Sequence, residues 1–224
     1  MSIDQIYGVL SDLGAEEVAL YRQKLNDNSK IAENYEDLIY EGIAAFNFLL
    51  AGFSVKMRES PDLELKLNSF NLFAEVKHFR YKTQDKLDEH NTREVLKNGY
   101  LSIYGNTLPT ENKNSWDEVF EVARNKVSQY KNSVPNILVL ASSSGYCIDD
   151  AIIPTAIHKI NEVSRTSMDI ALRKLNGVLL LSNSYSGKQK RNAWFFETEN
   201  AFIALDETIR DRLNDIRVWK RIAS

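Results

Sequence analysis

The sequence predicts an α/β protein in which a mixed β-sheet is flanked by helices, and three features lead to that class. Residues 61–79, PDLELKLNSFNLFAEVKHF, alternate apolar and polar positions around a polar turn, the pattern of a β-hairpin. Residues 136–141 (NILVLA) and 177–181 (GVLLL) are continuous apolar runs, as strands buried on both faces require. The segments between them carry apolar residues at helical spacing. A hairpin meander followed by helix, strand, helix and strand makes a layered sheet with a mixed core.

Each element can be justified in order. Residues 3–27 read as one or two short helices broken near Gly14, with Val18, Leu20 and Leu25 as apolar anchors. The polar link Asn26-Asp27-Asn28-Ser29 ends them. Over residues 31–51, Ile31, Tyr35, Leu38, Ile39, Ile43, Phe46, Leu49 and Leu50 trace a helical stripe, and Gly52 supplies the stop. Phe53, Val55 and Met57 then alternate with polar residues as a first strand leading into the hairpin. Residues 80–114 are polar and form an excursion from the fold, in the manner of a flap.

Ser115-Trp116-Asp117-Glu118 is a capping box. It opens a helix to about residue 132 that buries Val119, Phe120, Ala123, Val127 and Tyr130. Residues 149–175 are helical with a kink at Pro154. Residues 193–197 form a last strand and 207–222 a last helix. The expectation is one domain over residues 1–224. It has an N-terminal helical segment at 1–29, a core at about 30–183 and a C-terminal strand and helix at 192–224.

Composition narrows the class. The chain has 224 residues, 43 % hydrophobic and 26 % charged, which is ordinary for a globular protein. The formal net charge of −3 argues against a protein that coats or packages nucleic acid, yet permits an enzyme with a local basic groove. A single cysteine, Cys147, allows no internal disulfide. The N-terminal MSIDQIYG lacks the basic and apolar regions of a secretory signal, and residues 43–55 are too short to span a bilayer. A cytoplasmic protein with no membrane partner is expected.

The hairpin carries the chemistry. With pairing symmetric about Ser69 and Phe70, Leu63 faces Val76, Leu65 faces Ala74 and Leu67 faces Leu72, an entirely apolar side. On the other side Asp62 lies opposite Lys77, Glu64 opposite Glu75 and Lys66 opposite Phe73. Like charges across a ladder repel, so Glu64 and Glu75 call for a cation between them, either a lysine or a metal. Asp62 precedes Glu75 by 13 residues, a span that suits neighbouring strands joined by a short turn.

Pro61-Asp62 followed by Glu75-Val76-Lys77, with Glu41 on the upstream helix before Gly52-Phe53, resembles the PD-(D/E)xK nuclease superfamily. The Glu-x-Lys element also occurs at Glu64-Leu65-Lys66 and Glu111-Asn112-Lys113. The copy at 111 lies in polar loop sequence, and the copy at 64 has no acid at the expected distance upstream. The resemblance covers roughly residues 31–181 and implies a restriction-endonuclease-like fold.

The resemblance also implies a nuclease dependent on Mg²⁺ or Mn²⁺ that hydrolyses phosphodiester bonds, most plainly a DNA endonuclease of restriction or repair type. RNA remains an alternative substrate. Such chemistry needs a hard divalent ion to neutralise the scissile phosphate and to generate hydroxide near neutral pH. Asp62 and Glu75 would hold the ion, with the Val76 carbonyl as a further oxygen. Lys77, on the same face, would orient the attacking water or take its proton. Glu41 or Glu64 would serve a second ion or its water shell.

Basic clusters at Lys77-Arg80-Lys82, Lys188-Lys190-Arg191 and Arg217-Lys220-Arg221 are candidate phosphate contacts. The best of them is Lys188, Lys190 and Arg191, which lies near Trp194. Cutting both strands of a duplex calls for two active sites and hence a homodimer. The alternative is a nuclease-like module that binds nucleic acid or assembles without catalysis. His78, on the apolar face, is expected to be a core residue.

Overall fold

The computed structural model describes residues 2–80, 115–142, 148, 150–166, 169–182, 193–217, 220 and 222. Three helices open the chain: α1 (Ile3–Asp12), α2 (Val18–Asp27) and α3 (Ala32–Leu50). The strands β1 (Ser54–Met57), β2 (Leu63–Leu67) and β3 (Phe70–Phe79) follow. Next come α4 (Ser115–Asn125), β4 (Asn136–Ser142), α5 (Ile152–Arg165) and a 3₁₀ turn (Ile170–Lys174). The chain then adds β5 (Leu175–Ser182), β6 (Ala193–Glu197) and α6 (Glu207–Asp215).

The six strands form one mixed sheet in sequence order. β1, β2 and β3 are an antiparallel meander, β3, β4 and β5 are parallel, and β6 returns antiparallel to β5. The predicted meander and αβαβ succession are therefore present. β4 and β5 are buried at every position, as their unbroken apolar runs anticipated.

Alternation along the strands divides the core in two. One face, built on Val55, Leu65, Ala74, Val76, Ile137, Val139 and Leu179, packs against α1, α2, α3 and α6. The other, built on Leu138, Leu140, Val178, Leu180 and Trp194, packs against α4 and α5. Gly52, at φ +88°, follows the C-cap Ala51 and turns the chain from α3 into β1, a conformation other residues adopt at a cost.

Several expectations are corrected. The hairpin register is two residues tighter: Leu63 pairs with Ala74, Leu65 with Leu72 and Leu67 with Phe70. The turn is only Asn68-Ser69, with Asn68 at φ +55°, a left-handed conformation that asparagine tolerates. Phe70 and Asn71 thereby join the ladder, opposite Leu67 and Lys66. A shift of two preserves the faces but separates Glu64 from Glu75. Glu64 lies opposite Phe73 and pairs with Arg58 at 2.5 Å.

Pro154 produces no kink, because it sits in the first turn of α5, where a missing amide costs nothing. The helix stops at Arg165, and a 3₁₀ turn leads into β5. α4 ends at Asn125, short of residue 132. α6 ends at Asp215 because the chain beyond is strapped to α3: Asn47 accepts from the Lys220 amide at 2.9 Å and donates to its carbonyl at 3.0 Å. The polar excursion lies outside the described residues beyond position 80, as do Cys147 and the cluster Lys188, Lys190 and Arg191.

Candidate functional site

Three carboxylates converge where β2 stops and β3 runs on. β2 pairs with β3 only as far as Leu63 and Ala74, whereas β3 stays paired with β4 to Phe79. Asp62, the residue before β2, enters at this step in the sheet. Its Oδ2 accepts the backbone N–H of Val76 at 2.8 Å, so the carboxylate takes an amide on the side of β3 that β2 has left.

Glu75 is 1 % exposed and accepts from Lys126, in the turn that follows α4. Glu41 projects from α3, is buried, and pairs with Lys24 of α2 at 3.0 Å. Gly42 brings α2 this close, because a methyl group there would collide with Ile6 and with the Tyr21 hydroxyl. That hydroxyl donates to the Leu38 carbonyl at 2.6 Å and holds α2 on α3.

The electrostatics are set by crowding. Burial pushes the Glu41 carboxyl up to about 8, reinforced by the charge of Asp62 and opposed by Lys24. Burial likewise pushes Glu75 up to about 7, again with Asp62 adding and Lys126 opposing. Asp62 is raised by burial, against the Val76 amide and the two lysines. Three carboxylates face two ammonium groups, so the fully ionised cluster keeps one uncompensated negative charge. Burial and mutual repulsion outweigh the lysines.

The surroundings of Glu75 are left incomplete. Its Oε2 is buried without a hydrogen-bond partner, and so is the hydroxyl of Tyr130, which feels the Glu75 charge. Burial, and then the charge of Glu75, raise the Tyr130 hydroxyl well above its ordinary value. As the side chains stand, no group of three or more His, Cys, Asp or Glu among the described residues is arranged to hold one ion.

The donor set still fits a hard divalent cation. Mg²⁺ takes one or two carboxylates and completes its shell with water and phosphate oxygens. Asp62 and Glu75 interact directly and offer those carboxylates, and the Glu75 Oε2 has no other claim on it.

The predicted residues are thus only partly brought together. Asp62, Glu75 and Glu41 share one cluster. Lys77 shares the sheet face of Glu75, since their β4 partners Leu140 and Leu138 both belong to the α4–α5 side. Its ammonium, however, lies 3.7 Å from Asp37 Oδ2 on α3, with the side chain 38 % exposed. Asp37 also binds Arg80 at 2.8 Å and lies 3.5 Å from Nδ1 of His78. Burial raises the Asp37 carboxyl, but His78, Lys77 and Arg80 together hold it below its ordinary value.

His78 is buried as expected, its ring stacked on Tyr40 at 3.8 Å. Arg80 is tied to Glu33 and Asp37, and Trp194 is a core residue. Sequence reasoning missed Lys24 and Lys126. A signal for Lys126 was present: Val119, Ala123, Lys126 and Tyr130 follow helical spacing, so this lysine lies on the apolar stripe.

No family model, curated protein or solved structure matches the chain. Among the described residues no helix is long and apolar enough to cross a membrane.

Proposed function

We propose that this protein is a divalent-metal-dependent nuclease with a restriction-endonuclease-like core, acting on DNA as an endonuclease. The observation that carries the proposal is the buried cluster of Glu41, Asp62 and Glu75 at the step between β2 and β3. Its carboxylates repel one another, and one buried oxygen has no partner. A structural role alone gives no reason to crowd three acids there, since a lone buried charge is costly and is normally paired.

Asp62 and Glu75 would hold Mg²⁺ or Mn²⁺, with the Val76 carbonyl alongside. The bound ion would supply charge neutralisation at the phosphate and a water of lowered pKa. Asp62 is fixed for this by the Val76 amide, which leaves its other oxygen to face the cation. Glu41 lies beyond Asp62 and shapes the negative potential that draws the ion in. On the same side, the half of the sheet made by β1–β3 bears Lys56, Lys66 and Phe73. Among the described residues β1 and β2 contribute nothing to the α4–α5 core, and β3 contributes only Phe79 at its far end.

The test is cleavage of duplex, nicked, branched and single-stranded DNA in Mg²⁺ or Mn²⁺. Wild type is expected to cut at least one substrate, and Asp62→Ala to lose at least about 100-fold in rate. Equal rates on every substrate would end the proposal.

One observation favours a second reading, a nuclease-like module that binds nucleic acid without catalysis. Lys24 and Lys126 already neutralise two of the three acids without any metal. Tight DNA binding indifferent to divalent ions, with no cleavage, would establish that role.

A further inference from the structure

We propose that Lys126, not Lys77, is the lysine that contacts the reacting phosphate, and that it occupies the cation's place on Glu75 until a divalent ion arrives. This rests on the nuclease reading above and assigns to that site a residue that no part of the Glu-x-Lys pattern contains.

Three independent observations lead there. First, Lys126 reaches the most buried acid of the cluster: its ammonium donates to Glu75 Oε1, and Glu75 is 1 % exposed. Lys77 pairs instead with Asp37 at 3.7 Å, in a set of ion pairs that includes Arg80, and among the described residues no ion pair links it to Glu41, Asp62 or Glu75. Second, the Lys126 side chain is 26 % exposed, so it lies between the buried acid and solvent, where a substrate phosphate would enter. Third, its support is rigid at one end and open at the other. The Lys126 amide donates to Val122 at 3.1 Å, and its carbonyl accepts the Gln129 amide at 2.9 Å. Among the described residues its ammonium pairs with Glu75 and with no other acid.

The chemistry follows from charge. The Lys126 ammonium engages Oε1 of Glu75, and Oε2 is left without a partner. Asp62 and Glu75 would hold a divalent ion of twice the ammonium's charge, which would release Lys126 from Glu75. The freed Lys126 needs no proton loss to act. As a cation on a flexible four-carbon stem it can donate to a non-bridging phosphate oxygen a few ångströms away. Lys126 and the ion therefore compete in the resting protein and cooperate once the phosphate is bound.

The experiment pairs calorimetric titration of Mn²⁺ with cleavage kinetics for wild type, Lys126→Met, Lys126→Arg and Lys77→Met. Lys126→Met is expected to bind Mn²⁺ at least as tightly as wild type, because the competing ammonium is gone. Its kcat should fall about 100-fold with KM little changed, and Lys126→Arg should recover part of that loss. Lys77→Met should stay within a few-fold of wild type in both measurements.

Normal cleavage by Lys126→Met in a protein that binds Mn²⁺ overturns the assignment and leaves the nuclease reading standing. So does a loss confined to Lys77→Met. A wild type that neither binds Mn²⁺ nor cuts overturns the nuclease reading, and the assignment with it. Circular dichroism of each variant with Mn²⁺ present separates misfolding from lost chemistry, and Lys126→Arg carries the test if Lys126→Met unfolds.

Discussion

Two buried polar clusters lie on this sheet, and they are built on opposite terms. At the start of β4 and β5, the Asn136 side chain donates to the carbonyls of Lys131, Val134 and Lys174 and accepts from the Lys131 amide. Asn176 accepts from the Asn136 amide and donates to Ile203, and Thr198 donates to Leu175 at 2.6 Å. Every group there is neutral and answered. At the step between β2 and β3, Glu41, Asp62 and Glu75 are acids whose pKa values burial raises; Asp62 pushes both glutamates further up, and one oxygen is left unanswered. Satisfied polar networks specify a fold, whereas unsatisfied ones store a demand for something else.

That contrast predicts opposite responses to substitution. Asn136→Ala should lower stability by about 3 kcal/mol, because it strips one amide and three carbonyls of their partner inside the sheet. Cleavage per folded molecule should be unaffected. Urea denaturation alongside the DNA assay checks both halves, and lost activity in a folded Asn136→Ala protein would blur the distinction between the clusters.

A smaller effect of reverse sign is expected at the other cluster. Glu41→Gln removes an acid pushed up to about 8 while leaving its volume, and Lys24, 32 % exposed, can turn to water. The metal-free protein should gain about 1 kcal/mol at pH 8.

The pH dependence follows from the same crowding. In the unfolded chain a glutamate releases its proton near 4.5, whereas in the fold Glu41 keeps it up to about 8 and Glu75 to about 7. The native state therefore binds more protons than the unfolded state across that window. In EDTA, stability should fall as pH rises from about 4.5 to 8 and level off beyond. Lys24, Lys126 and Asp62 are the charged groups facing the pair, and none of them reverses this sign. Glu41→Gln should flatten the slope. A wild type that becomes more stable over that range would contradict the electrostatics described.

Much of the fold was legible in the sequence because burial writes periodic patterns. The runs at 136–141 and 177–181 were too continuous for half-exposed strands and read as buried ones, and Gly52 marked the end of α3. The hairpin register was not legible: Asn68-Ser69-Phe70-Asn71 suits a two-residue or a four-residue turn. Only the left-handed backbone of Asn68 selects the shorter one. Both registers keep Asp62 and Glu75 on one face, so the acids were found despite the slip.

Ion-pair partners could not be read in the same way. Lys77 follows Glu75 by two residues, yet it is drawn to Asp37 on α3. Lys24 reaches its acid from α2 and Lys126 from the turn after α4, elements brought in by tertiary packing. Distant elements decide which lysine meets which acid.

The central claim is that the carboxylate cluster is a divalent-ion site. Its most direct test is calorimetric titration of Mn²⁺ into metal-free wild type and Glu75→Gln at pH 8. The account predicts saturable binding with proton release in wild type and its loss in Glu75→Gln. Absence of binding to wild type, or equal binding by the two proteins, would contradict it.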